Sequence, residues 1–118
     1  MRKTKELLRE GDVVQVSEKL YKVAEECIKA MAKLLSFEEA KEKGRWTLKL
    51  LDAAARKLAE KVDAVVLHSW DHAYFLHVES FHEARLGLEQ VEARMKYIEE
   101  LLHIAKKLMQ TRRENGDC

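Results

Sequence analysis

Val13-Val14-Gln15-Val16-Ser17-Glu18-Lys19-Leu20-Tyr21-Lys22-Val23-Ala24-Glu25-Glu26-Cys27-Ile28-Lys29-Ala30-Met31-Ala32-Lys33-Leu34-Leu35 is the stretch whose reading decides the fold. Its apolar residues Val13, Val16, Leu20, Val23, Cys27, Met31 and Leu34 follow one another at intervals of three or four, and Tyr21, Ala24, Ile28 and Leu35 widen the stripe. A 3.6-residue period stacks such positions on one side of an α-helix, whereas a strand would alternate every second residue. The spacing predicts a helix over about 13–35 with one broad buried face. Asp12 stands where an N-cap is needed, with Gln15 three residues on. Gly11 suits the end of a short preceding segment, 2–10, whose apolar positions are Leu7 and Leu8.

The same period continues downstream. Ser36 and Glu39 have capping-box spacing and predict a short polar helix from Phe37 to Lys43, ending at Gly44. After Trp46, the residues Leu48, Leu51, Ala54, Ala55, Leu58 and Ala59 predict a helix that fades near Lys61. Val62, Val66, Trp70, Ala73 and His77 share a face of a further helix over about 63–77, with Asp63 as its cap or bend. Ser80 and Glu83 form a second capping-box pair, and the last helix is expected over about 81–113. Its apolar positions Ala84, Leu88, Val91, Met95, Ile98, Leu102, Ala105 and Met109 make a heptad, flanked by Leu101, Ile104 and Leu108. The fold class that follows is all-α: an antiparallel four-helix up-down bundle with short extra helices. It is expected as one domain over 1–118, with a polar tail from about 112.

Composition agrees and excludes alternatives. Hydrophobic residues make 47% of the 118 and charged residues 36%, which separates the chain from disordered sequences. With no proline and four glycines, it lacks the turn residues that a sandwich or barrel would use. The 22 Lys and Arg are interspersed with 21 Asp and Glu, so no basic stripe marks a dedicated nucleic-acid binder. Rich in Lys and Glu, with no Asn before position 115, the composition suits a thermophile. Cys27 lies on the apolar stripe and reads as a small hydrophobe, and Cys118 as a free terminal thiol. Met1-Arg2-Lys3-Thr4-Lys5-Glu6 has no apolar signal core, and no apolar run approaches the roughly 20 residues that a bilayer requires. The expectation is a cytoplasmic protein without a membrane segment.

Two stretches resemble a known family. Gly11 to Ala30, reading Gly-Asp-Val-Val-Gln-Val-Ser-Glu-Lys-Leu-Tyr-Lys-Val-Ala-Glu-Glu-Cys-Ile-Lys-Ala, resembles a helix of the archaeal PaREP family. Trp70-Asp71-His72-Ala73-Tyr74-Phe75-Leu76-His77-Val78-Glu79-Ser80-Phe81-His82-Glu83 resembles that family's second signature. The resemblance extends over roughly residues 4–105 and implies an HEPN-like helical bundle, often dimeric, of archaeal origin. Some HEPN proteins are ribonucleases with an Arg followed by a His after four to six residues. Here Arg94 and His103 have eight residues between them and Arg56 and His68 eleven, so that motif is missing. Other members of the superfamily pair with a nucleotidyltransferase or bind nucleotides.

Histidines supply the candidate sites. His68, Asp71 and His72 stand at i, i+3 and i+4, a spacing that would let two imidazoles and a carboxylate ligate a divalent metal. The plainer reading is a polar stripe opposite Trp70 and Ala73. His77 and His82 bracket the entry to the last helix with Glu83 and Arg85 beside them. That corner is either a polar ligand pocket or a structural tie between helices. Trp46 and Trp70 read as core rather than base-stacking platforms, and Arg112 and Arg113 as a solvated basic tail.

The functional expectation is a non-catalytic HEPN-like interaction module that uses no cofactor. It would homodimerise through apolar surface left over on its longest helices and act with a nucleotidyltransferase-type or nucleic-acid-related partner. The alternative is a nuclease or nucleotide-binding enzyme, with a nucleotide or RNA ligand, built on the His77/His82 corner.

Overall fold

A computed structural model describes residues 12–41, 45–80 and 87–116. Among them the chain forms five helices and no strand: α1 (Val13–Leu34), α2 (Glu38–Lys41), α3 (Leu48–Lys61), α4 (Val65–Glu79) and α5 (Leu88–Gly116). Helix α1 packs against all four others, α4 also meets α3 and α5, and α2 meets α3. The expected segment 2–10 lies outside the described residues. Its neighbour begins as expected: the Asp12 carboxylate accepts the Gln15 backbone N–H at 3.0 Å and caps α1.

The end of α1 differs from the expectation. Ser36 has φ 58°, in the left-handed region, so it is not the N-cap of the next helix, a position that takes extended backbone. Its N–H instead donates to the Lys33 carbonyl at 3.1 Å, and the Phe37 N–H to the Ala32 carbonyl at 2.9 Å. This paired pattern is a Schellman motif, with a serine where glycine is usual and with Phe37 buried behind it. Glu39, expected to close a capping box, holds the Lys57 ammonium of α3 with both carboxylate oxygens, at 2.8 and 2.9 Å. That hydrogen bond lowers the pKa of Glu39. The short helix covers four residues, and residues 42–44, with the expected stop at Gly44, lie outside the described ones.

Thr47 caps α3 through its hydroxyl, which accepts the Leu50 N–H at 3.2 Å. Asp63 makes the bend into α4, its carboxylate accepting the Val65 N–H at 2.9 Å. Of the second expected capping box only Ser80 is placed, and Glu83 and the expected helix start at 81 lie outside the described residues. Ser80 ends α4, donating its hydroxyl to the His77 carbonyl at 3.2 Å, and α5 begins at Leu88. The Gly87 N–H donates to the Gln90 side chain at 2.8 Å, so the side chain three residues on reaches back to the residue before the helix.

The buried side chains form one cluster. Helix α1 contributes Val16, Leu20, Ala24, Cys27, Ile28, Met31 and Ala32 to it. Across from them stand Leu51, Ala54, Ala55 and Leu58 of α3, Val66, Trp70, Ala73 and Leu76 of α4, and Val91, Met95, Ile98, Leu101 and Ala105 of α5. On α5 the heptad positions Val91, Met95, Ile98 and Ala105 are buried as expected, but at one turn the flank residue Leu101 is fully buried and the heptad residue Leu102 only partly so.

A β-carbon in the left-handed conformation costs roughly 1–2 kcal/mol. Ser36→Gly is therefore expected to raise the unfolding free energy by about 0.5–1 kcal/mol, after the greater freedom of glycine in the unfolded chain is subtracted. Urea unfolding of the two proteins measures it, and a loss of stability would contradict the Schellman assignment.

Candidate functional site

Three described histidines stand on α4, and the helix turns them different ways. With about 100° per residue, His68 and His72 lie close to one flank, while His77, nine residues beyond His68, lies roughly half a turn away. The contacts agree. His72 stacks on Tyr97 of α5 (centroids 4.1 Å apart, planes at 8°), and His68 stands edge-on to both rings, 4.7 Å from His72 and 4.9 Å from Tyr97. His77 instead faces α1. Its ring stacks on Tyr21 at 4.1 Å, and its Nδ1–H donates to the Glu18 carboxylate at 2.9 Å. A carboxylate only accepts, so this contact assigns the proton to Nδ1. Tyr21 in turn tilts against buried Trp70 at 5.5 Å.

Asp71 turns a third way, toward α3. Together with Leu48, Lys49, Asp52, Trp70 and Tyr74 it lines a cleft of about 340 Å³. Among the described residues no group of three or more His, Cys, Asp or Glu side chains is placed to hold a metal ion. The expected His68–Asp71–His72 set is thus two side chains that touch and a third that faces elsewhere. His82, Glu83 and Arg85 lie outside the described residues, so of the expected corner only His77 is placed.

The α4–α5 seam around His72 is cationic. The Arg94 guanidinium lies over the Phe75 ring at 3.9 Å and donates to the Gln90 carbonyl at 3.0 Å. The Lys96 ammonium sits 5.2 Å from the Tyr97 ring centre. Burial, then His68, then Arg94 hold the pKa of His72 below its ordinary value, with Lys96 adding to the effect and Asp71 opposing it. Tyr21 is pushed the opposite way from its usual phenol value, upward, by burial first and then by Glu25 and Glu18.

On another side α1 and α5 leave an apolar groove of about 350 Å³. Val23, Cys27 and Ala30 line it from α1, and Leu102, Ala105 and Met109 from α5. Lys22, Glu26 and Lys106 stand at its edges. Burial raises the Cys27 thiol to about 11, so it remains protonated and serves as apolar lining rather than as a nucleophile. Trp70 is core, as expected, whereas Trp46 is only partly buried, beside the cluster. The side chains of Arg112 and Arg113 lie outside the described residues. Tyr97 was invisible as a site residue because no motif contains it; only its position on the flank of α5 brings it to the histidines.

The model of the archaeal PaREP1/PaREP8 family matches residues 1–102. Two solved structures are similar to this chain. One is the crystal structure of a protein from Sulfolobus solfataricus, 34% identical, with a TM-score of 0.82 over 90% of this chain and 89% of that one. The other is a solution structure of an Orf protein with the same structural-genomics target designation, 34% identical, with a TM-score of 0.78 over 92% of this chain and 87% of that one. No curated protein matches. The chain belongs to the archaeal PaREP1/PaREP8 family.

The lowered pKa of His72 has a sign for stability. The unfolded chain binds the proton more readily, so acidification from the ordinary histidine value near 6.5 toward the folded value removes native stability. In an NMR titration His72 is expected to titrate below 6.5, and Arg94→Gln is expected to raise its midpoint while Asp71→Asn lowers it. Unchanged midpoints in both variants would contradict the electrostatic account.

Proposed function

We propose that this member of the archaeal PaREP1/PaREP8 family is a non-catalytic interaction module that pairs with a second copy of itself through the α1–α5 groove. The observation that carries the reading is the groove's chemistry. Its floor is apolar, with Val23, Leu102 and Met109 only partly covered, while its edges present both signs of charge. A two-fold contact places the same patch on both subunits, so Glu26 of one copy can meet Lys22 or Lys106 of the other. In this reading α1, α3, α4 and α5 are the four members of an HEPN-like up-down bundle, one domain in which α2 is a connector. The dimer would act in the cytoplasm with a nucleotidyltransferase-type or nucleic-acid-related partner. Consistent with that setting, no helix among the described residues is long and apolar enough to cross a membrane.

Light scattering of the full chain at micromolar concentration is expected to return twice the 13.8 kDa chain mass. Leu102→Glu, which introduces a charge into the groove at a partly buried position on the edge of the core, is expected to return the single mass with unchanged helical circular dichroism. A wild-type monomer would overturn the proposal.

A second reading, a nuclease or nucleotide-binding enzyme on the His77/His82 corner, draws support from the Glu18–His77 pair. A carboxylate that orients an imidazole is a recurrent element of general-base sites. In that reading His77→Ala abolishes RNA cleavage or nucleotide binding, and Glu18→Gln weakens it. Identical behaviour of wild type and both variants would end it.

A further inference from the structure

We propose that His68 and His72 form a two-imidazole chelate for a late first-row divalent cation (copper(II), nickel(II) or zinc(II)), on the flank of α4 that faces α5. This site is independent of the groove and of His77. The argument begins with distance. A metal–nitrogen bond of about 2.0–2.1 Å places each ring centre roughly 3.2 Å from the metal, and two rings in adjacent coordination positions then have centres roughly 4.5–5 Å apart. The rings of His68 and His72 are 4.7 Å apart, with planes at 89°. They reach that separation because i and i+4 residues stand one turn apart on the same face.

Among the described residues, neither the His68 ring nor the His72 ring makes a hydrogen bond, whereas the His77 ring does. His68 is exposed, so a hydrated ion can reach the pair. Tyr97, stacked on His72 and edge-on to His68, limits the rotation of both rings and so prepares them for chelation. With two protein ligands, water completes the coordination sphere, which makes an exchangeable site rather than a structural one that stays closed.

The surrounding charges select the class of ion. Arg94 and Lys96 approach from α5, and Asp71, on α4, is the carboxylate that opposes them at His72. That field opposes every dication, so magnesium or calcium, which demand oxygen ligands and are held by charge, find no compensation here. Copper, nickel and zinc form directed bonds to neutral imidazole, and copper stands highest in the affinity order.

Isothermal titration of the untagged full chain with copper(II), nickel(II) and zinc(II) tests the site. The expected result is one equivalent per chain, copper tightest, with no heat from magnesium. His68→Ala and His72→Ala should each weaken binding about tenfold or more, and the double variant should abolish it. His103→Ala should leave it unchanged, and Asp71→Asn, which removes a nearby charge but no ligand, should weaken it far less than either histidine variant. In wild-type protein, trace copper(II) should broaden the NMR signals of His68, His72 and Tyr97 first, which reads the site without any substitution. The proposal is overturned if the wild type takes up no stoichiometric metal, if the double variant binds like wild type, or if copper broadens His77 or His103 first.

Discussion

Everything in this molecule is organised on the buried face of α1. That helix meets each of the other four, and Val16, Leu20, Ala24, Ile28, Met31 and Ala32 are fully enclosed between them. Tertiary packing of its apolar face, rather than helix propensity, supplies most of its stability. Each fully buried Leu, Ile or Met contributes roughly 1.5–3 kcal/mol relative to exposure. The opposing surface is mixed in size. Trp70 and Leu76 fill space, whereas Ala54, Ala55 and Ala73 let helices approach closely, and such alternation of large and small residues gives dense packing. The ends of α1 are held by unrelated devices: a carboxylate cap at Asp12 and a left-handed serine at Ser36. The second device turns the chain so that Phe37 enters the core and Glu39 meets Lys57.

Because α1 occupies the centre, α4 lies in contact with α1, α3 and α5, and its polar residues are distributed among three seams. His77 goes to α1, where Glu18 and Tyr21 receive it. His68 and His72 go to α5, where Tyr97 receives them, and Asp71 goes to the cleft beside α3. These are distinct chemical settings within a few residues of chain. One pairs an imidazole with a carboxylate, one gathers imidazoles under a cationic rim, and one places a carboxylate beside aromatic side chains. The long α5 also has two surfaces. Its inward stripe closes the core, and beside that stripe Leu102 and Met109 face the groove shared with α1.

Several features were legible in the residues. The extent of α1, the Asp12 cap, the bend at Asp63 and the core placement of Trp70 followed from period and local chemistry, and the structure has them. The Ser36–Glu39 pair misled. A capping box is read from spacing, but Ser36 and Ser80 are used to end helices, because a serine at a boundary serves whichever side the backbone requires. Where α5 begins at Leu88, the local signal is Gly87 and Gln90, since glycine makes a good helix boundary and glutamine can reach back to its N–H.

The sequence alone determined that the chain is helical, which face of each helix is apolar, and, through its two family-like stretches, the archaeal family to which it belongs. Those properties depend on neighbours three or four residues apart, and the covalent chain supplies that proximity. Only the tertiary structure decided that His68 and His72 stand apart from His77, that Tyr97 and Glu18 are their respective partners, and that α1 and α5 share an open apolar groove. Glu18 and His77 are 59 residues apart along the chain. No local pattern encodes such a meeting, because it depends on how far each helix is rotated when its apolar face is pressed into the common core.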